Sequence, residues 1–167
     1  MKKLAVLIIA LVFLVPLART AFAAPARKVT PQVTTSLTRL PIKGTIQSNE
    51  TYVTVFPTMS VTARGSGNAT QLDQFEIRYH TELSLLDLSL IESADFLGNN
   101  GNSFQAQAVG QASENRTPGM VNLVEIYTIT GGTGKFSGAS GTLTLNRLVS
   151  LTTGATASTF EGYILIP

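Results

Sequence analysis

The sequence predicts an all-β protein: a closed antiparallel up-and-down β-barrel of about eight strands. Three observations predict it. Val, Ile, Thr, Phe and Tyr alternate with polar residues through most of the chain, the period-two pattern of half-buried strands. Gly and Asn clusters punctuate that pattern, and no helical period competes with it beyond the N-terminal apolar run. Consecutive antiparallel strands must also hide their edges, and closure removes those edges altogether. A two-sheet sandwich is the alternative.

Residues 1–24 read as a secretory signal peptide. Lys2 and Lys3 precede an apolar run from Leu4 to Leu17, and Ala21-Phe22-Ala23 supplies the small residues of a cleavage site. The run is short for a bilayer span, which needs about 20 residues, so cleavage without a stable membrane anchor is expected, an uncleaved anchor being the alternative. That places the protein outside the cytoplasm, secreted or periplasmic. Residues 25–40, "PARKVTPQVTTSLTRL", show no sustained period and read as a flexible linker. The barrel domain is expected over 41–167. Loss of Lys2, Lys3 and Arg19 would leave nine basic residues against ten acidic ones, near −1 where the whole chain is +2. No nucleic-acid partner is expected from such a balance. The chain has no cysteine, which excludes disulfides, thiolate chemistry and a lipid-modified cysteine. No metal or cofactor is expected. Asn49, Asn68 and Asn115 each begin an Asn-x-Thr sequon, read as chance in a Thr- and Asn-rich chain.

Candidate strands run Ile42–Ser48, Tyr52–Arg64, Ala69–Glu82, Leu85–Phe96, Ser103–Ser113, Val121–Thr130, Thr142–Leu151 and Thr156–Ile166. "GNNGN" (98–102) and "TTGA" (152–155) carry hairpin-turn chemistry, since Asn and Gly tolerate positive φ. "NRTPG" (115–119) is a looser connector. "ELSLLDLSLIE" (82–92) could be forced into a helix, but Leu86, Leu88 and Leu90 alternate cleanly.

Parity then sorts the side chains. On the third strand Phe75, Ile77, Tyr79 and Leu83 share the core face, and Glu76, Arg78, His80 and Glu82 the wet one, which argues against a catalytic role for His80. On Val121–Thr130 the apolar set includes Glu125 alongside Leu123, Tyr127 and Ile129. On Thr142–Leu151 it includes Arg147 alongside Leu143, Leu145, Val149 and Leu151. Pairing Ile129 with Leu143 would set Glu125 opposite Arg147, with Phe160 of the last strand on the same side. Two buried opposite charges must pair, because either alone is costly. The pair is either a structural ion pair fixing register or a polar focus in an apolar cavity. Glu125, Arg147 and Tyr127 are the candidate ligand-binding residues; Tyr79, Asp87, Leu123, Leu145 and Phe160 are candidate cavity-lining residues. Asp87 enters because it shares the parity of Leu83, Leu85 and Ile91.

"ITGGTGKFSGASG" (129–141) lacks the Gly-Lys-Ser/Thr ending of a phosphate-binding loop and precedes a strand, so nucleotide binding is not expected. Its residues Gly131, Gly132, Gly134, Gly138 and Gly141 read as a tightly turning structural loop, with Phe136 plugging one end of the barrel. This stretch resembles the Gly-Gly-x-Gly-x-Phe-x-Gly-x-x-Gly signature of plant dirigent proteins and allene oxide cyclases, whose eight-stranded antiparallel barrels imply a calycin-like shape for this one. The chain also resembles small exported bacterial barrel proteins of unassigned function, through "GSGNATQLDQF" (65–75), "VEIYTITGGTGKFSGASGTLTL" (124–145), Arg147 and "FEG" (160–162). Where those bacterial proteins often read Ala-Thr-His-Leu-Gly, this chain has Ala69-Thr70-Gln71-Leu72-Asp73. The early-strand motifs of the two plant families are not recognisable here, so the resemblance implies a fold and assigns no catalytic residue.

Three functions follow from these expectations. The first is an exported binding or scaffold module holding a small apolar ligand. The second is a cofactor-independent cyclase or isomerase, dirigent-like, steering a reactive lipid or phenolic intermediate. The third is a structural extracellular protein without ligand. An open cavity would favour the first two over the third.

Overall fold

The computed structural model describes residues 36–167; the expected signal peptide and most of the expected linker lie outside them. The described chain forms eight strands: β1 (Thr38–Val55), β2 (Thr58–Ala69), β3 (Asp73–Ser84), β4 (Ser89–Gly98), β5 (Ser103–Glu114), β6 (Met120–Thr133), β7 (Ser140–Ser150) and β8 (Ala155–Ile166). Each strand pairs antiparallel with its sequence neighbour, and β8 pairs with β1, so the sheet closes into an up-and-down barrel. Closure leaves the ladder without a free edge. Among the described residues the one helical turn is the 3-10 segment Gly134–Phe136. The segment 82–92 is strand and turn; the expected alternation of Leu86, Leu88 and Leu90 does not hold, because Leu86 is exposed in the turn and Leu88 takes a positive φ.

Several expected boundaries move. The sequence places a break at Asn49–Thr51, but β1 runs through it, and Asn49–Val55 pairs residue by residue with Arg64–Thr58. The chain turns instead at Phe56-Pro57, where proline has no N–H to offer a ladder. Thr38–Leu40, expected as linker, pair with Ile166–Ile164 of β8. The strand expected from Leu85 begins at Ser89, and Leu85–Leu88 form a turn closed by Leu88 N–H donating to Ser84 O at 2.9 Å. Leu151, expected on the inward face, is an exposed turn residue.

Two ends of the barrel differ. At one, Phe75, Phe96, Phe104 and Phe160 pack as a single aromatic cluster, with Phe96 and Phe104 stacked at 4.4 Å. Phe136, fully buried, sits edge-on to Phe104 at 5.7 Å and closes that end. Its loop requires glycine where β7 begins. Gly141 has φ +144, and a Cβ there would lie 2.2 Å from the Tyr163 carbonyl oxygen of β8, a contact no side chain survives. On the opposite side of the interior a second, smaller cluster gathers Leu90, Ala112, Leu123 and Val149. The outer face also carries apolar side chains, among them Ile91, Val109 and Ile126, exposed neighbours across β4, β5 and β6.

Removing the plug should weaken the whole barrel. Phe136→Ala is expected to lower the unfolding free energy by about 3–5 kcal/mol, measured by urea denaturation. A loss below about 1 kcal/mol would mean that the closed end repacks around the gap.

Candidate functional site

Between the two apolar clusters lies a layer of buried polar side chains. Their positions follow from parity on four strands. On β6, Leu123, Glu125, Tyr127 and Ile129 are buried; on β7, Leu143, Leu145, Arg147 and Val149. On β4 the buried set is Leu90, Glu92, Ala94 and Phe96, and on β1 it is Ile42, Ile46 and Ser48, with Glu50 next in step. One guanidinium therefore meets three carboxyl groups from around the barrel's circumference.

Arg147 Nη1 donates to Glu50 Oε1 at 3.1 Å. Arg147 Nη2 lies 3.1 Å from both Glu92 oxygens, 3.0 Å from Glu125 Oε1 and 3.2 Å from the Tyr127 hydroxyl. Glu125 Oε2 is also 2.9 Å from a guanidinium nitrogen, but out of line for a hydrogen bond, so that contact is coulombic and the atom is left without a hydrogen-bond partner. A nitrogen with two hydrogens cannot serve all these oxygens with straight hydrogen bonds, so much of the attraction is between charges. Tyr127 and Thr81 donate to Glu92. Tyr79 donates to Glu50 Oε1 at 2.8 Å, bonds Ser48 at 2.9 Å, and lays its ring 4.2 Å from the guanidinium carbon. Among the described residues no His, Cys, Asp or Glu group is placed to hold a metal ion; the guanidinium occupies the centre of the carboxyl set.

These surroundings set the protonation of the layer. Burial raises the Glu125 carboxyl well above its ordinary value; Arg147 opposes this, and Glu92 reinforces it. Burial likewise raises Tyr127, helped by Glu92 and Glu125, and raises Tyr79 against the pull of Arg147. Burial alone would weaken the hold of Arg147 on its proton, but Glu92 and Glu125 outweigh it and keep the guanidinium charged. Glu125 is thus biased toward its protonated form.

Above this layer the barrel is open. A cavity of about 290 Å³ has Met59, Val61, Leu83, Leu90, Leu123 and Val149 among its walls, and Glu50 and Arg147 as its charged floor. Glu50 is held at that floor from the backbone. Its N–H donates to Gly154 O at 2.8 Å, across an approach so close that a Cβ on Gly154 would lie 2.4 Å from Glu50 O. Tyr52 walls the same side, its hydroxyl donating to Leu151 O at 2.8 Å.

The sequence-derived candidates distribute unevenly over this geometry. Glu125, Arg147 and Tyr127 are brought together, but not in the expected register. Ile129 pairs with Gly141 and not Leu143, so Glu125 faces Leu145 and Arg147 faces Leu123. The slip is by two residues, which preserves the inward face, and the long arginine reaches Glu125 diagonally. Leu123 lines the cavity. Leu145, Phe160, Tyr79 and Tyr127 belong to the packed core cluster. Asp87 is corrected outright: it sits in the exposed β3–β4 turn, where its carboxylate accepts from Ser89 N–H and Oγ–H at 3.1 and 2.8 Å. The four-residue turn restarts the parity, so the inward residues of β4 are even-numbered. His80 is exposed and pairs with Glu82 at 2.9 Å. Glu50 and Glu92 escaped the sequence reading. Both were detectable, Glu92 by its parity with Leu90, Ala94 and Phe96, Glu50 by its parity with Ile42 and Ile46. No protein-family model matches the chain, and comparison with curated proteins also finds no match.

Two measurements probe the layer. Arg147→Met leaves three carboxyl groups without a cation and is expected to cost about 3–5 kcal/mol in urea denaturation. The raised Glu125 carboxyl stabilises the fold fully below its unfolded value of about 4.5, and that contribution is lost as pH rises through the folded value. Relative to wild type, Glu125→Gln should therefore become progressively more stable as pH increases above 4.5. Parallel stability curves for the two proteins would show that Glu125 is ionised in the fold.

Proposed function

We propose that the protein is an exported binding module that holds one small, largely apolar molecule in the open half of its barrel. The observation that carries this reading is the cavity itself: apolar walls, a mouth to solvent and a floor of two charged side chains. Ligand sites typically combine predominantly apolar walls with few polar anchors in about 300–1,000 Å³. At about 290 Å³ this cavity suits a compact ligand. Exposed Val55, Phe56, Leu86 and Leu151 lie in or beside the turns at the mouth, the composition of an entry route for a poorly soluble molecule. The eight-stranded closure and the 129–141 glycine stretch support kinship with the exported bacterial barrels and, in shape, with allene oxide cyclases and dirigent proteins.

The catalytic reading, a cofactor-independent cyclase or isomerase, draws on one observation. Glu125, its carboxyl biased toward the protonated form by burial, stands beside Glu92 and Tyr127, groups suited to acid–base exchange. Neither Glu125 nor Glu92 lines the cavity, however; Glu50 and Arg147 do. That arrangement favours holding a molecule over transforming it.

N-phenyl-1-naphthylamine, whose fluorescence rises in apolar surroundings, tests the binding reading. Saturable binding at one site is expected, lost in Ala112→Trp, which fills the cavity from a buried wall position. Circular dichroism should show the variant folded. Dye uptake unaffected by this substitution would place the dye on the outer surface and refute the proposal.

A further inference from the structure

We infer that the cavity selects apolar molecules carrying a hydrogen-bond-donating, cationic head, an alkyl or aryl amine in chemical class, and turns away carboxylates. This rests on the binding reading above and adds the identity of the head group. An arginine at the floor of a greasy pocket would ordinarily point to a carboxylate ligand. Here the local count runs the other way. Three carboxyl groups surround one guanidinium, so the cation is already more than compensated.

Accessibility sharpens the point. The Arg147 side chain is 2% exposed and spends both terminal nitrogens on carboxyl and tyrosine oxygens. The Glu50 side chain, more than nine-tenths buried, lines the cavity with one oxygen uncommitted. Its Oε1 accepts from both Tyr79 and Arg147, whereas Oε2 accepts from none of the described residues. What the floor lacks is a donor. A ligand ammonium or amine N–H would supply one and offset the surplus negative charge. A ligand carboxylate would bring a fourth acid into the same low-dielectric space, where like charges repel strongly. Glu114, exposed and also part of the cavity lining, adds negative potential along the entry, which favours approach of cations. Tyr52 in the same lining offers an aromatic wall of the kind that attracts alkylammonium groups.

The test is competition of n-octylamine, 1-octanol and octanoate against N-phenyl-1-naphthylamine at neutral pH, in wild type and Glu50→Gln. The amine is expected to displace the dye at about tenfold lower concentration than octanoate, with the alcohol between them. Glu50→Gln keeps an oxygen acceptor for Tyr79 and Arg147 while removing charge, and should narrow the gap to about threefold or less. Octanoate matching or surpassing octylamine in wild type overturns the inference and leaves the binding reading standing. So does an unchanged gap in a folded Glu50→Gln. Absence of saturable dye binding refutes the binding reading itself. The wild-type comparison decides the matter even where the variant fails to fold.

Discussion

A single guanidinium, almost wholly buried and surrounded by three acids, sets the terms for the rest of this molecule. Glu50, Glu92, Glu125 and Arg147 come from β1, β4, β6 and β7, strands distributed around the whole circumference. No open sheet brings those four strands to one point. The charge cluster and the closure of the barrel therefore depend on each other. Ladder pairing from β8 back to β1 delivers Glu50 to the arginine, and the arginine penalises any register in which one acid arrives without it. Even-numbered slips are the dangerous alternatives for such a barrel, because they leave the apolar faces inward. A specific charge contact discriminates among them where greasy packing does not, a role buried ion pairs fill in some proteins.

The polar layer also divides the interior into halves with different duties. Below it, five phenylalanines fill the space to native density and the glycine-dense loop seals the end. Above it, smaller and branched side chains leave room. The electrostatics of the layer reach the upper half mainly through Glu50 and Arg147, since Glu92 and Glu125 are screened from it by their neighbours. Glu92, bonded by Thr81, Tyr127 and Arg147, is satisfied where it stands. Glu50 and Glu125 each keep one oxygen without a hydrogen bond, and of the two it is Glu50 that lines the cavity.

Most of the fold was legible in the sequence, because a period of two is dictated by the pleat and survives errors in strand ends. Closure, strand number, the inward positions of Glu125, Arg147 and Tyr127 and the burial of Phe136 all follow from alternation and turn chemistry. Register was not legible. It depends on how much chain the turn between β6 and β7 takes up: the ladder ends at Ile129 and Gly141, and the residues between them include a 3-10 turn. Two of the three acids are not legible for a related reason. Asn49 and Thr51 resemble turn residues, so Glu50 was read as loop, although the strand continues to Val55. Asp87 was chosen over Glu92 by carrying the parity of β3 through a turn that resets it. Local composition marks where a chain can bend; long-range pairing decides whether it does.

The segregation of a packed aromatic half from a hollow aliphatic half has an evolutionary corollary. Mouth residues such as Met59, Leu85 and Leu88 stand outside both buried clusters, so drift at these positions exacts a small toll on folding. A lineage built on this frame can exchange them freely while its base stays fixed. Paralogues that share the phenylalanines and the arginine should then diverge first at the rim, each recarved for its own guest.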